Sequence, residues 1–234
     1  MKVQVGNKYE LEAVIGRGKF GTVYRARHRF TKASVAIKVE DKTQGTLVKE
    51  ARIYRLLRDI PGICKLYDFG IEGKYSYMAI SYLTRPAKAL SLELLRNSIP
   101  SLITTLRYLH EQGVVHCDIK PDNIIIPDRG DPHIIDFGLS RYGPPVSLTL
   151  RSVVGSHPYA SRRVLQLKPP TASDDVESFI LSVANLAGFY GQPFDRAALP
   201  EGFQRLIAGA HDIIESNDYQ TFAKDINTLL EKLG

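Results

Sequence analysis

The sequence predicts an α+β protein with a small β-rich N-terminal lobe and a mainly helical C-terminal lobe. The first observation is that apolar residues alternate with period two through most of the first 85 residues. The second is that they recur with helical spacing from about residue 90 onward. The stretch TRPAKAL at 84–90 separates the two patterns, so we expect lobes at 1–83 and 91–234 within one domain. A chain of 234 residues is too short for several independent modules.

The N-terminal lobe is predicted to be a β-sheet with one helix. The strand-like stretches are YELEAVIGRG (9–18), FGTVYRARH (20–28), SVAIKVE (34–40), and CKLYDFGIEG (64–73) with KYSYMAIS (74–81) as a hairpin. A helix is expected in TLVKEARIYRLLRD, because Leu47, Ala51, Tyr54 and Leu57 recur on one side of it.

The C-terminal lobe is predicted to contain three long helices. SIPSLITTLRYLHEQG has Pro100 suited to a first turn and Gly113 suited to a left-handed C-terminal cap. TASDDVESFILSVANLAG, residues 171–188, is nearly all apolar after its acidic start, which predicts a buried helix. NDYQTFAKDINTLLEKL, residues 217–233, is amphipathic and predicts a helix on the surface of the lobe.

Charge is distributed unevenly along the chain. The net charge is +6, and the first 86 residues hold 17 Lys or Arg against 8 Asp or Glu. An anionic partner of this portion is expected, either a nucleotide, an acidic protein or a nucleic acid, although no nucleic-acid motif is present. A solvated basic surface is the alternative explanation.

The N-terminal residues MKVQVGNKYELEAV carry no apolar signal core, and no apolar run approaches the roughly 20 residues of a membrane span. We therefore expect a cytoplasmic or nuclear monomer without a membrane partner. In such a compartment Cys64 and Cys117 are expected to be free thiols.

A glycine-rich segment, GRGKFGTV, places Gly16, Gly18 and Gly21 in GxGxxG spacing. A dinucleotide fingerprint would need a helix after these glycines, whereas the following residues alternate like a strand. The pattern favours a β-turn-β flap over phosphates, with a glycine-rich hairpin of no function as the alternative.

A lysine and a glutamate in the same lobe are predicted to form an ion pair. Lys38 ends the apolar stretch VAIK, and Glu50 lies on the apolar stripe of the predicted helix. A carboxylate on a buried stripe needs a partner, and Lys38 is the obvious cation. The pair would hold the lysine ammonium where it reaches phosphate oxygens.

The segment HCDIKPDN, residues 116–123, places an acid, a lysine and an asparagine within one loop. Asp118 would accept the proton of an attacking hydroxyl, and Lys120 would neutralise charge on a transferring phosphate. Asn123 would offer its amide oxygen to a metal ion, as would Asp136 in IIDFG, where Gly138 permits a sharp turn. Each residue alone fits a capped turn, but the set in this order predicts phosphoryl transfer with ATP and Mg²⁺.

These motifs resemble those of eukaryotic-type protein kinases, and within that group they are most similar to casein kinase I. The resembling segments are GRGKFG, KEARIYRLL, DFGLS and SDDVES, together with GSHPYASRR at the place of an Ala-Pro-Glu or Ser-Ile-Asn motif. The resemblance covers nearly the whole chain and implies a bilobal kinase fold with ATP between the lobes. It also implies that Leu83 meets adenine through its backbone, that Ile80 guards the back pocket, and that Asp175 braces the catalytic loop. The implied walls of the adenine site are Ile15, Val23 and Ala36.

Departures from the resemblance concern regulation and substrate binding. Cys117 stands where most kinases have an arginine that gathers an activating phosphate, so we expect activity without phosphorylation of that segment. Its thiol is expected to be inert, with a reactive thiol as the alternative. Pro158 stands where casein kinase I has an anion-site arginine. Two interpretations are open for the nearby basic residues: they form a substitute anion site, or they lie on a solvated surface. These residues are Arg151, Arg162, Arg163 and Lys168. GQPFDRAALPEG, in a region shorter than in that family, is expected to be too short for its docking helix.

The predicted function is an Mg-ATP-dependent Ser/Thr protein kinase acting on acidic protein sites. Lys120, two residues after Asp118, and Ser156, expected near it, resemble the Ser/Thr branch. A nucleotide-binding pseudokinase scaffold is the first alternative, although Lys38, Asp118, Asn123 and Asp136 are all present. A small atypical kinase or ATPase of a tRNA-modification assembly is the second, and the intact flap and activation segment disfavour it.

Overall fold

A β-sheet with one helix accounts for the N-terminal part of the chain in the computed structural model, which describes residues 4–18, 21–85, 89–143, 152–189 and 195–233. One compact unit comprises Met1–Asp59 with Ile63–Thr84, and a second comprises Ile60–Gly62 with Arg85–Gly234. The first unit holds the sheet and the second is mainly helical. The predicted α+β class is therefore confirmed.

The sheet of the first unit has six antiparallel strands in the order β1-β2-β3-β4-β6-β5 among the described residues. The strands are β1 (Gln4–Val5), β2 (Tyr9–Gly18), β3 (Gly21–His28), β4 (Ser34–Asp41), β5 (Leu66–Glu72) and β6 (Tyr75–Ser81). The five strands predicted from alternation are confirmed, whereas β1 is too short to give a pattern.

One sheet face of the first unit forms a small apolar core. Its buried side chains are Tyr9, Ala26, Val35, Ile37, Tyr77 and Ala79. Helix α1 (Thr46–Leu56) buries the predicted stripe that includes Leu47, Ala51 and Tyr54. Because side chains alternate along β4, Ala36 and Lys38 point to the other face of the sheet.

The second unit contains six helices and two short strand pairs in its described part. The helices are α2 (Leu92–Glu111), α3 (Arg162–Leu165), α4 (Ala172–Leu186), α5 (Glu201–Ala208), α6 (Ala210–Ser216) and α7 (Tyr219–Leu233). The strand pairs are β7 (Val114–Val115) with β10 (Arg141–Tyr142), and β8 (Ile124–Ile125) with β9 (His133–Ile134). None of the helices in the described ranges is long and apolar enough to cross a membrane.

Helix α2 begins earlier than the sequence predicts. Its N-terminus is set by Ser91, whose side chain accepts a hydrogen bond from Leu94 N at 3.1 Å, with Glu93 in the first turn. The expectation that Pro100 lies in the first turn is wrong, because Pro100 lies inside the helix. The helix continues through it because proline removes only one of many hydrogen bonds while a long apolar side stays buried.

Helix α4 is buried from Asp174 to Ala184, as predicted for this segment. Thr171 and Asp174 form a capping box at its N-terminus. Three acidic side chains of the first two turns, Asp174, Asp175 and Glu177, are also buried, and each accepts hydrogen bonds from elsewhere in the unit. The helix dipole favours negative charge at this end, so the acidic start and the apolar remainder both suit a central helix.

Several predictions fall partly or wholly outside the described residues. These are the flap residues Lys19 and Phe20, residues 86–88 of the linker, Arg151, and 191–194 of GQPFDRAALPEG. In the described remainder of that last segment, Arg196–Ala198 form a 3₁₀ turn and α5 then begins at Glu201. The helices α3, α5 and α6 were not predicted, since they span only four, eight and seven residues and a segment this short is ambiguous by periodicity.

Candidate active site

The ion pair predicted in the first unit is formed. Lys38 Nζ lies 2.7 Å from Glu50 Oε2, and the two side chains are 11% and 2% exposed. Lys38 lies in the middle of β4, between Val23 on β3 and Met78 on β6. A central strand and a packed helix therefore fix the lysine ammonium in position, whereas its contact with phosphate stays a prediction.

Four of the residues predicted to bind nucleotide share one face of the sheet. Val23 lies directly opposite Lys38, and Ala36 lies directly opposite Ile80. Cross-strand partners point to the same face, as do residues two apart on a strand. This is the face opposite the apolar core, so the sheet register places these four side chains together. Leu83 follows β6.

The three glycines of the β2–β3 hairpin differ in how much space surrounds them and in backbone conformation. Gly16 pairs with Val23 and Gly18 pairs with Gly21, so all three lie near the hairpin end. A Cβ at Gly21 would collide with the Val39 carbonyl oxygen, and its φ of +143° disfavours other residues. Gly18 has open space around it. Close packing within the sheet thus accounts for the glycine at position 21. Ile15, which was predicted to line the adenine site, lies on β2 and is 48% exposed.

The catalytic loop, defined as residues 116–123, brings three predicted side chains into contact. Asp118 Oδ2 accepts hydrogen bonds from Lys120 Nζ at 2.8 Å and from Asn123 Nδ2 at 3.2 Å. Lys120 Nζ also donates to Ser156 Oγ at 2.7 Å, which confirms the expected proximity of that serine. Asp118 Oδ1 is buried and has no hydrogen-bond partner among the described residues. One oxygen of the carboxylate is thus fixed, and the other is a buried acceptor for a further donor.

Local hydrogen bonds give the catalytic loop its shape. Pro121–Asn123 form a 3₁₀ turn, in which Asn123 N donates to Lys120 O at 2.9 Å. Asn123 Nδ2 donates to Asp118 O at 2.8 Å, so its side chain closes the loop on itself. Because that nitrogen makes both donations to Asp118, Oδ1 is the amide atom of Asn123 that suits a metal ion.

The β8–β9 hairpin brings the two predicted metal ligands to one end of a strand pair. Ile124 pairs with Ile134, and Ile135 N donates to Asn123 O at 2.9 Å. Asn123 therefore precedes β8 where Asp136 follows β9, although 13 positions separate them in sequence. The sharp turn behind β9 is made at Asp136 itself, whose φ is +67°, and Gly138 N donates to Asp136 Oδ1 at 3.4 Å.

This donor set fits Mg²⁺. A carboxylate and an amide oxygen are hard ligands, which Mg²⁺ prefers. Within the described ranges no group of three or more His, Cys, Asp or Glu side chains could hold a metal. Mg²⁺ usually takes one or two protein ligands and completes its shell with phosphate oxygens and water, so Asn123 and Asp136 are a suitable pair.

Asp175 braces the catalytic loop from α4, as the resemblance implies. Its Oδ2 accepts from His116 N at 2.6 Å and its Oδ1 accepts from Cys117 N at 2.9 Å. Cys117 has a φ of +68°, a left-handed conformation that is uncommon for a residue with a Cβ. Two hydrogen bonds from a buried carboxylate stabilise this conformation directly before Asp118.

His116 has a role that the sequence did not reveal. The ring is fully buried and packs on Phe137 with ring centroids 4.9 Å apart. Its Nδ1 accepts from Asp118 N at 3.2 Å, so Nε2 carries the proton and donates to Ile135 O at 3.1 Å. His116 thereby links the backbone of the catalytic loop to the strand end that presents Asp136. The two valines that precede it in VVHCD were the sequence feature that could have indicated a buried histidine.

Cys117 is partly buried, and its thiol donates to Val115 O at 3.4 Å. Burial raises the pKa of the Cys117 thiol, and the neighbouring charge of Asp175 raises it further. A thiol that stays protonated is a poor nucleophile, which supports the inert interpretation. Burial likewise raises the pKa of Cys64 to about 12, and both cysteines are free, as predicted.

Arg196 and Glu177 anchor the segment that follows Ser156, and sequence reasoning missed both. Arg196 donates to Glu177 Oε1, to the Ala160 carbonyl, and to Pro158 O at 3.3 Å. Glu177 Oε1 also accepts from Arg162 N at 3.0 Å. The largely buried ion pair between Glu177 on α4 and Arg196 thus fixes the backbone around GSHPYASRR. Spacing gave no signal, because Arg196 lies 19 residues beyond Glu177.

Gly155 also supports the site. Its φ is +92°, and a Cβ there would lie 2.6 Å from Cys117 O. We expect Gly155→Ala to move this segment away from the catalytic loop, weaken the Ser156–Lys120 hydrogen bond and lower kcat by about 10- to 100-fold. Gly130→Ala is the matched control, since Gly130 has a φ of +96° but nothing within 4 Å. Steady-state kinetics and thermal melting of both variants test this, and equal kcat values would contradict it.

Comparisons with known proteins show the family to which the chain belongs. The family model described as Protein kinase domain matches residues 9–233. This chain belongs to the protein kinase family. The prediction of a protein kinase is thereby confirmed at the level of the family. The comparisons do not show the finer resemblance to casein kinase I.

The curated relatives of this kinase domain include proteins from plants and fish. It is 29% identical over 245 residues to CBL-interacting protein kinase 5 of Oryza sativa subsp. japonica, covering 97% of this chain and 51% of the relative. It is 32% identical over 220 residues to CBL-interacting serine/threonine-protein kinase 20 of Arabidopsis thaliana, covering 86% and 49%. It is 30% identical over 224 residues to Aurora kinase B of Danio rerio, covering 88% and 68%. The chain spans about half the length of the two plant relatives.

Proposed function

We propose that this kinase domain is an Mg-ATP-dependent serine/threonine kinase that transfers the ATP γ-phosphoryl group to hydroxyls of protein substrates. The observation that carries the proposal is the state of the Asp118 carboxylate. Lys120 and Asn123 bind one oxygen, and the other is a buried acceptor without a partner among the described residues. A substrate hydroxyl supplies the missing donor.

Asp118 acts as the base in this proposal. Its Oδ1 accepts a hydrogen bond from the substrate hydroxyl and takes the proton as the oxygen attacks phosphorus. Lys120, 2.8 Å from Asp118 Oδ2, stabilises the negative charge that develops on the transferred group. Ser156 Oγ accepts from the same ammonium and limits its motion. The carboxylate is thereby held in one orientation before substrate arrives.

The remaining predicted residues bind the nucleotide. Mg²⁺ held by Asn123 and Asp136 would neutralise phosphate charge and orient the γ-phosphoryl group. Lys38, fixed by Glu50, binds phosphate oxygens, and the hairpin glycines Gly16, Gly18 and Gly21 let backbone N–H groups approach them. The proposed adenine site uses Ile15, Val23, Ala36, Ile80 and the backbone of Leu83.

Basic side chains in the segment that follows Ser156 support the proposal of acidic substrates. Arg162 and Lys168 are exposed, and neither has an ion-pair partner in the described part of the chain. Arg163 is engaged, since its Nε lies 3.5 Å from Asp174 Oδ1. We therefore assign substrate acidic groups to Arg162 and Lys168. We also propose that the chain is related to casein kinase I, that it is a monomer, and that it is located in the cytoplasm or nucleus.

A peptide-array assay tests the proposal. The purified chain is incubated with Mg-ATP and two matched Ser/Thr peptide libraries, one with acidic and one with basic flanking residues, and phosphate incorporation is measured. We expect transfer to serine or threonine with preference for the acidic library. Nucleotide binding without transfer would support a pseudokinase scaffold. Release of inorganic phosphate without peptide labelling would support an ATPase. Arg162→Ala with Lys168→Ala should remove the acidic preference.

Activity is expected not to depend on phosphorylation of the segment between Asp136 and Ser156. A phosphate orders such a segment by pairing with a basic side chain, and the residue before Asp118 is a partly buried cysteine whose thiol is neutral. Phosphatase-treated enzyme should retain most of its specific activity. The measurement compares kcat before and after treatment, with phosphate content determined by intact mass.

The control for this comparison is rephosphorylation of the treated enzyme. A fall in kcat of more than about tenfold, roughly 1.4 kcal/mol in activation free energy, that rephosphorylation restores would contradict the prediction. Ser156→Ala is interpreted separately, because its hydroxyl accepts directly from Lys120 and its loss lowers activity without any phosphate.

A further inference from the structure

A chain of three buried side chains connects the start of α7 with the catalytic loop. Tyr219, the first residue of α7, has its hydroxyl 2.7 Å from His110 Nδ1, near the end of α2. His110 Nε2 lies 3.2 Å from Asp175 Oδ2, and Asp175 accepts the backbone N–H groups of His116 and Cys117. We call Tyr219, His110 and Asp175 the Tyr–His–Asp relay.

Each member of the Tyr–His–Asp relay has a defined hydrogen-bonding role. The carboxylate of Asp175 only accepts, so His110 Nε2 carries a proton. In the neutral ring Nδ1 is then an acceptor, and the Tyr219 hydroxyl donates to it. Burial raises the pKa of the Tyr219 phenol, and so does the charge of Asp175, so this donor keeps its proton. The tyrosine hydroxyl therefore fixes the orientation in which the histidine reaches Asp175.

Burial makes the Tyr–His–Asp relay rigid. The side chains of His110 and Asp175 are 7% and 2% exposed, and Tyr219 is 5% exposed. Water cannot readily replace any of these partners, and the rings of His110 and Tyr219 also pack with centroids 6.2 Å apart. If the Tyr219 hydroxyl is removed, Nδ1 has no donor and the ring is free to reorient.

The Tyr–His–Asp relay ends where backbone conformation matters most for the proposed reaction. Asp175 accepts hydrogen bonds from the N–H groups of His116 and of Cys117, whose left-handed φ is +68°. That conformation directs the next residue, Asp118, towards Lys120 and Asn123. A small displacement of Asp175 therefore changes where the base points.

We propose that Tyr219 and His110 are positioning residues for phosphoryl transfer, acting through Asp175 on the direction of Asp118. This inference rests on the proposed function. It assigns to the start of α7, a helix that contributes no predicted site residue, a part in setting kcat. Neither residue touches substrate, so affinities for ATP and peptide are left unchanged.

The test uses the full chain with Tyr219→Phe, which removes one oxygen atom and keeps the ring. We expect kcat to fall by about five- to tenfold, while KM for ATP and for peptide stay within about twofold. We also expect hydrogen exchange at the His116 and Cys117 amides, measured by NMR, to accelerate by a similar factor. Tyr9→Phe is the matched control, because Tyr9 is also buried, 3% exposed, and packs edge-on against His28.

A double-mutant cycle identifies the route of the effect. His110→Gln can place an amide N–H at the position of Nε2, within reach of Asp175, but it has no polar atom at the position of Nδ1, where the Tyr219 hydroxyl binds. If Tyr219 acts through His110, the double variant should resemble His110→Gln alone. Effects that simply multiply would overturn the route, as would a folded Tyr219→Phe protein whose kcat and amide exchange stay within twofold of the parent. Should Tyr219→Phe not fold, unchanged exchange in His110→Gln overturns the proposal by itself.

The exchange measurement separates this proposal from the proposed function. If the parent chain transfers no phosphate, the proposed function fails. Accelerated exchange at His116 and Cys117 would then still show that the Tyr–His–Asp relay holds the loop, and unchanged exchange would overturn it as well.

Discussion

Asp118→Asn is expected to slow phosphoryl transfer by about 10²- to 10⁴-fold while the chain folds and binds ATP normally. Asparagine keeps an oxygen that can accept from Lys120, so the loop retains most of its contacts. It has no carboxylate to take the proton from the substrate hydroxyl, and its amide places a donor where Asp118 has an acceptor. The loss therefore falls on kcat and leaves nucleotide affinity unaffected.

Rapid-quench measurement of a single turnover checks this result, because it isolates the chemical step from product release. Asp122→Asn is the matched control, since it makes the same change in the same loop at an exposed side chain. We expect that variant to keep the rate of the parent within about twofold. A single-turnover rate in Asp118→Asn equal to that of the control would remove Asp118 from the role of base.

Asp136→Ala is expected to abolish the tightening of ATP binding by Mg²⁺. Asp136 is the carboxylate of the predicted metal pair, and Asn123 alone offers one neutral oxygen. Without the carboxylate, ATP binding in the presence of Mg²⁺ should be about as weak as binding in its absence. Transfer should fall by several orders of magnitude, because the phosphate charge is no longer neutralised at this position.

Calorimetric titration with ATP, with and without Mg²⁺, measures this dependence. Asp131→Ala is a suitable control, because Asp131 lies in the connection between β8 and β9 and is exposed. It should keep the metal dependence of the parent. If Asp136→Ala shows the same ratio of affinities with and without Mg²⁺ as the parent, the assignment of the metal ligand is wrong.

Much of the proposed site was predictable from spacing. Asp118, Lys120 and Asn123 lie within six residues, so one tight loop was bound to bring them together, and they are in contact. The Lys38–Glu50 pair was predictable for a different reason. A carboxylate on the apolar side of a helix needs a cation, and only a nearby buried strand offered one. In both cases local pattern and burial carried enough information.

Element boundaries were less predictable than element types. Alternation and helical spacing identified β2 to β6 and the long helices, because these segments bury one continuous side. The start of α2 was misplaced since Pro100 resembled an N-terminal signal, whereas the capping by Ser91 lay earlier. The short helices α3, α5 and α6 were missed because segments of four to eight residues are ambiguous by periodicity.

Residue types and short spacings were enough to predict the kinds of chemistry proposed for this chain, namely a base, a metal pair and a lysine–glutamate pair. Periodicity predicted a sheet followed by helices. How those groups are held depends on contacts that form only in the folded chain. Ser156 meets Lys120 across 36 positions, Asp175 meets Cys117 across 58, and Tyr219 meets His110 across 109. The physical reason is that a buried polar group must find a hydrogen-bond partner, and over such separations only the folded chain determines which partner is within reach.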